Sequence, residues 1–284
     1  MQGKHVAITG ATAGIGRASA IELARRGAQL TLLCRSLDKG HELADEIVAL
    51  GALQPRVVHM DMAELASVRE AAAQCVPGDE PLHVLLNNAG VVNTERRLTV
   101  DGFEQTLAVN HFAPFLLTGL LLPALYRAEN ARIVNVSSDA HTFVRGMDYD
   151  DMHCEKRYRT FTAYGRSKLA NILFTRYLAQ QLQGSGMTAN CLHPGAVSTS
   201  LGTQNPGLLS SLLPRLLKPF FRTPEKGAST SIYLCSSEDL DGVSGEYFVN
   251  CKAVPAKPWA RDDEAARALW QYTEDAVGFH YAFS

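Results

Sequence analysis

The chain has 284 residues, 46% hydrophobic and 20% charged, with a formal net charge of −2. This ordinary globular balance excludes a disordered, collagen-like or coiled-coil chain, each of which needs a strong compositional bias. A chain of this length buries a sizeable core without disulfide or metal staples, and no net positive field points to a nucleic acid partner.

The first ten residues, M-Q-G-K-H-V-A-I-T-G, hold no apolar run of the length a signal peptide or membrane anchor needs. From there, short apolar runs alternate with helical patterns to the far end. The runs cover residues 5–9, 29–34, 56–60, 83–86, 132–136, 187–192 and 246–249. The helical patterns between them include 15–26, 37–50, 63–74, 102–127 and 164–182, and 261–276 reads as a short amphipathic tail helix. Strand and helix in alternation imply parallel pairing through right-handed crossovers, and runs that do not alternate in polarity suit strands covered on both faces. The expectation is α/β: one doubly wound parallel sheet of about seven strands with helices on both faces, in a single domain over 1–284. The longest apolar stretch, 113–125, carries Pro114 and Pro123 and is about half a membrane span, so no transmembrane segment is expected.

Six scattered cysteines (Cys34, Cys75, Cys154, Cys191, Cys235, Cys251) form no C-x-x-C pair and read as small buried hydrophobes of a reducing, cytoplasmic compartment. His41-Glu42 lacks a second histidine at metal-ligand spacing, and no metal site is expected. His111 and His193, beside the motifs below, read as packing residues.

The turn after the first strand is T-G-A-T-A-G-I-G, residues 9–16, and it opens a helix. Gly10, Gly14 and Gly16 allow a tight turn and close approach to a pyrophosphate, which the free N–H groups of the helix start attract. Thr12 and Ile15 complete that cofactor-binding turn. At the end of the second strand, where an NAD enzyme carries a carboxylate, stands Cys34, followed by Arg35 and Ser36. A guanidinium without a neighbouring acid suits a 2′-phosphate, so the cofactor is read as NADP(H). Tyr164 and Lys168 are four apart, on one face of a helix, where an ammonium can favour phenolate in a general base. Ser138 ends the I-V-N-V-S-S strand, at the sheet edge where such folds bind ligands.

The G-x-x-x-G-x-G spacing resembles the short-chain dehydrogenase/reductase family, a Rossmann-type fold, and the resemblance extends along most of the chain. It implies Ser138, Tyr164 and Lys168 as catalytic residues, with Asn110 of L-A-V-N-H-F supporting a water relay to the lysine. It implies an adenine contact at Asp61 with Met62, and an adenosine border at Asn88, Ala89 and Gly90 of N-N-A-G. In H-P-G-A-V-S-T it implies that Pro194, Gly195, Val197 and Thr199 hold the nicotinamide carboxamide, while Tyr164 and Lys168 also contact the cofactor. Strings such as S-S-D-A-H, E-K-R-Y and Y-G-R-S-K-L-A-N-I-L-F-T-R are similar to the retinol dehydrogenase branch.

The expected activity is therefore NADP(H)-dependent interconversion of a lipophilic alcohol and its aldehyde or ketone. A steroid or xenobiotic carbonyl reductase is the alternative within the family, and a non-catalytic dinucleotide sensor the alternative outside enzymes. The insertion at 196–223 is too apolar for disorder. Its stretch 208–221 reads as a substrate lid, with a peripheral membrane contact or a core helix left open. The long helix 164–182 matches the one that pairs subunits in many family members, so a homo-oligomer is an expectation.

Overall fold

The computed structural model describes residues 1–195 and 222–283. Eight strands among these residues form one sheet in the order β3-β2-β1-β4-β5-β6-β7-β8. They are β1 (His5–Thr9), β2 (Gln29–Cys34), β3 (Arg56–His59), β4 (Val84–Asn87), β5 (Arg132–Val136), β6 (Thr188–His193), β7 (Tyr247–Val249) and β8 (Lys252–Ala253). The first seven run parallel, and β8 returns antiparallel on β7. The order reverses between β1 and β4, and in open α/β sheets ligands bind outside the strand ends at such a point.

The seven expected strands are present, with no end shifted by more than one residue. The eighth forms because Asn250 and Cys251 both adopt positive φ, 53° and 60°. Two left-handed residues in succession make the tight turn whose twist suits a hairpin, although cysteine is an unusual occupant.

Helices cover both faces. On one side lie α1 (Gly14–Arg25), α2 (Leu37–Ala49) and α6 (Pro224–Ser236). Their Ile15, Leu23, Leu43, Ile47 and Ile232 pack with Val6, Ile8, Val84 and Leu86 of the sheet. On the other lie α3 (Leu65–Cys75), α4 (Gln105–Tyr126), α5 (Thr160–Gln181) and α7 (Asp263–Val277). There Ala7 and Leu85 meet Val68, Phe112, Phe115, Leu169 and Trp270. Ala7 thus faces one core while Val6 and Ile8 face the other, the period-two division of a strand buried on both faces.

The expected helix over 102–127 starts at Gln105 and contains a π-turn, Ala108–Phe112, in which the N–H of Ala113 reaches the carbonyl of Ala108 five residues back. The cause is Pro114: it has no N–H to give the carbonyl of Asn110, four residues back, so the ladder changes register there. Among the described residues α4 is the one helix long and apolar enough to cross a membrane, and 89% of its 18-residue apolar window is buried in the protein. The expected insertion at 196–223 lies, up to residue 221, outside the described residues, as do Val197, Thr199 and the 208–221 stretch.

Candidate active site

The turn after β1 is held from both sides. Thr9 Oγ1 accepts from the backbone N–H groups of Asn88 and Ala89, each at 2.9 Å, and Asn88 Nδ2 donates to the carbonyls of Thr9 at 2.9 Å and Gly10 at 3.2 Å. Gly10 sits at φ +64°, and a Cβ there would stand 3.0 Å from Ala89. A Cβ on Gly16 would overlap the Gly10 carbonyl and the Asn88 amide, so α1 can start this close to β1 only with a glycine. The α1 start has no side-chain cap at Ala13 and no acid in its first turn. Its orphan N–H groups and positive dipole end suit an anionic pyrophosphate. Ile15 is buried in the α1-side core, so it has its backbone N–H rather than its side chain to offer; Thr12 is half-buried on the turn.

At the end of β2, Cys34 is buried with its Sγ donating to the Ser36 carbonyl at 3.3 Å, while Arg35 is exposed and has no ion pair among the described residues. Ser36 Oγ caps α2, accepting from Lys39 N–H at 3.4 Å. Asp61, just past β3, is partly exposed; one carboxylate oxygen accepts from Ala63 N–H at 2.9 Å, and Met62 is buried in the α4-side core.

The four residues expected to be catalytic converge on the same sheet edge. Lys168, 3% exposed, donates through Nζ to the Val136 carbonyl at 3.0 Å and stands 5.6 Å from the centre of the Tyr164 ring. Ser137 Oγ donates to the Lys168 carbonyl at 2.7 Å, tying α5 to the end of β5. Asn110, in the π-turn, accepts from Val91 N–H at 2.7 Å and donates to the Val91 carbonyl and to Ser167 Oγ. Ser167 in turn donates to the Tyr164 carbonyl at 2.8 Å. Gly90 marks the convergence: a Cβ there would lie 3.2 Å from Asn110 Oδ1 and 3.4 Å from Lys168 Nζ. Beneath the site, Asn87 Nδ2 donates to Asn135 Oδ1 at 2.9 Å and Thr118 Oγ1 at 3.0 Å, linking β4, β5 and α4.

Burial sets the electrostatics. It lowers the Lys168 ammonium to about 8. It raises the Tyr164 phenol above its ordinary value, and a hydrogen bond with the Ser138 hydroxyl opposes that rise. The protein alone thus holds the phenol as an acid, because burial disfavours the phenolate more than the Ser138 hydrogen bond favours it. His111 is held neutral, pushed down to about 3 by burial, with Nε2 3.0 Å from Thr273 Oγ1. It packs as expected.

Pro194 and Gly195 follow β6 beside the site. Gly195 adopts φ +86°, and a Cβ there would meet the Arg222 side chain at 2.9 Å; Arg222 donates to Asn250 Oδ1 at 2.6 Å. The motifs assigned no role to Thr9, Ser137, Ser167 and Val91, which hold the site residues. Each stands next to a residue they singled out (Gly10, Ser138, Lys168 and Gly90), and that adjacency is the one signal the sequence offered.

Residues 4–206 match the family described as short chain dehydrogenase. The chain is 44% identical over 280 residues to retinol dehydrogenase 12 of Mus musculus, covering 98% of this chain and 88% of that protein. To retinol dehydrogenase 13 of Homo sapiens it is 43% identical over 284 residues, covering 97% and 85%. Among solved structures, an uncharacterized protein from Mycobacterium paratuberculosis superposes with a TM-score of 0.79 at 33% identity, over 99% of this chain and 96% of that one. A Beutenbergia cavernae protein with bound NADP, provisionally described as an NAD(P) dependent gluconate 5-dehydrogenase, superposes with a TM-score of 0.71 at 27% identity, over 88% and 96%.

Proposed function

Because the chain belongs to the short-chain dehydrogenase/reductase family, alcohol/carbonyl oxidoreductases that act on CH–OH donors with NAD(P)(H), we propose that it uses NADP(H) to interconvert a lipophilic alcohol and its aldehyde or ketone, as a retinol dehydrogenase-like enzyme. The observation that carries this reading is the meeting of Tyr164, Lys168, Ser138 and Asn110 at the strand ends next to the uncapped start of α1.

Gly10, Thr12, Gly14, Ile15 and Gly16 would hold the pyrophosphate, Arg35 and Ser36 the 2′-phosphate, and Asp61, Met62 and Asn88–Gly90 the adenosine. Pro194, Gly195, Val197 and Thr199 would hold the nicotinamide end. When bound, the nicotinamide supplies the donor or acceptor of hydride. The protein supplies the proton. In reduction, Ser138 Oγ donates a hydrogen bond to the substrate carbonyl oxygen and Tyr164 Oη delivers its proton to that oxygen. In oxidation, Tyr164 must first lose its proton and then takes the alcohol's. The Lys168 charge beside the ring favours that phenolate, and Asn110 supports the path by which the proton is replaced.

NADP(H) rests on Arg35, which is exposed at the end of β2 with no ion pair among the described residues and a neutral Cys34 beside it. A lipophilic substrate rests on the named retinol dehydrogenase relatives. Six free thiols suit a reducing, cytoplasmic location, with the chain working as one catalytic unit. The test is oxidation of NADPH by the purified protein with all-trans-retinal, medium-chain aldehydes, a steroid ketone and a quinone, each repeated with NADH. NADPH-linked reduction of retinal or long aldehydes is expected. Turnover with NADH alone would overturn the cofactor assignment, and turnover of only the steroid or quinone would replace the retinoid-like substrate.

A further inference from the structure

The peptide bond that follows Ser138 is held at both ends by imidazoles. Its carbonyl oxygen lies 2.8 Å from His141 Nδ1, and its N–H, that of Asp139, donates to His193 Nδ1 at 3.2 Å. A carbonyl can only accept and an N–H can only donate. His141 must therefore carry its proton on Nδ1, and His193 must leave Nδ1 bare. The two rings come from different parts of the fold: His141 from the turn Asp139–Phe143 that follows β5, His193 from the last residue of β6.

Neither ring is needed merely to close the turn. The backbone N–H of His141 already reaches the Ser138 carbonyl at 3.2 Å, so the imidazole N–H is a second donor to the same oxygen. His141 is 2% exposed, its ring meets Tyr247 edge-on at 5.3 Å, and its Nε2 is buried with no partner among the described residues. A proton on Nε2 would sit there without an acceptor, so the surroundings select the Nδ1–H form that the carbonyl requires. Burial also holds both histidines below their ordinary value; around His193, Asp139 opposes this while Arg222 and His141 add to it.

We propose that His141 and His193 form a clamp on the Ser138–Asp139 peptide, fixing the plane of that peptide and with it the direction of the Ser138 hydroxyl toward the substrate oxygen. Both are positioning residues. Ser138 is extended, φ −161° and ψ 157°, and its Oγ accepts from Ala140 N–H at 3.1 Å, so its hydroxyl proton points to the Tyr164 side of the site, where a bound substrate oxygen would compete for it. Rotation of the following peptide would change ψ of Ser138 and carry Oγ off line, because the Ala140 N–H that donates to Oγ moves with it. The inference rests on the reading of Ser138 as the donor to the substrate oxygen.

The test uses side chains that keep or move one nitrogen. Asparagine places an amide N–H where His141 Nδ1 stands, whereas glutamine places it near Nε2. At His193, asparagine offers an acceptor at the Nδ1 position and leucine offers none. H141Q and H193L should each lower kcat about tenfold, the worth of one hydrogen bond, with the Kd for NADPH unchanged. H141N and H193N should recover most of that loss. Equal losses in the matched and mismatched variants, or losses that appear in Kd rather than kcat, would reduce both histidines to packing and overturn the clamp. S138A separates the two levels. Wild-type turnover in S138A would remove the reading of Ser138 itself; an inactive S138A beside wild-type turnover in H141Q and H193L would remove the clamp alone.

Discussion

Lys168 is an ammonium held where water would solvate it better: 3% exposed, with one carbonyl as its hydrogen-bond acceptor among the described residues. Burial lowers it from 10.5 to about 8, so below pH 8 it is charged in both the folded and unfolded chain and the fold bears the full desolvation cost. Between about 8 and 10.5 the unfolded chain binds the proton more tightly, and this residue's contribution to stability rises with pH. K168M should therefore melt higher than wild type at pH 7, with the difference shrinking by pH 10, while turnover is lost; calorimetry beside an activity assay checks both. The raised Tyr164 gives the reaction a direction-dependent pH profile. Carbonyl reduction, which uses the neutral phenol, should stay flat through neutral pH, and alcohol oxidation, which uses phenolate, should climb into the alkaline range. At the cofactor end, R35A should raise KM for NADPH about tenfold or more while leaving KM for NADH unchanged, because a charge-assisted contact is lost to one cofactor only. The identity of these residues was legible because each is a chemical type fixed by motif spacing: three glycines, a Tyr–Lys pair, a strand ending in serine. Their supports were not, because the Thr9 and Ser167 hydroxyls belong to common residue types with no spacing of their own, and the Val91 peptide is a group that almost any residue could supply.

At the scale of elements, periodicity placed the parallel strands and most helices, since apolar runs of four to six residues between helical patterns admit few other pairings. It missed where backbone bonding rather than side-chain pattern decides. The π-turn at Ala108–Phe112 follows from one missing N–H, at Pro114, inside a segment apolar throughout; β8 follows from two left-handed residues. Helix α5 begins at Thr160, a turn before Tyr164, so the catalytic tyrosine stands within an established helix. The tail has a further consequence. Trp270 of α7 packs 4.9 Å from Tyr177 and 4.8 Å from Phe115, Arg176 and Gln180 of α5 hold Asp263, and Tyr281 donates to the Phe115 carbonyl at 2.6 Å. This face of the long helix is thus covered by the chain's own C-terminal segment. Removing residues 263–283 should bare Phe115, Phe174 and Tyr177 and convert the protein to self-associating or aggregated species on size-exclusion chromatography. An unchanged elution position for a folded truncation would show that the segment does not shield them.

The whole molecule is a sheet whose strand order reverses between β1 and β4, so that cofactor turn and catalytic helix meet at one edge. The α1 side brings the glycine turn and Arg35; the α5 side brings Tyr164 and Lys168; β5 and β6 bring Ser138 and the histidines beside it. Every assignment follows from that meeting, and the central one is that Tyr164 transfers the substrate proton. The most direct measurement is Y164F, assayed for NADPH-linked carbonyl reduction and, separately, for NADPH binding by titration. Turnover should fall by about a hundredfold or more, the typical worth of a positioned proton donor, while binding stays close to wild type. Unchanged turnover in Y164F would contradict the account, and lost binding with lost turnover would make the tyrosine a cofactor contact rather than the acid of the reaction.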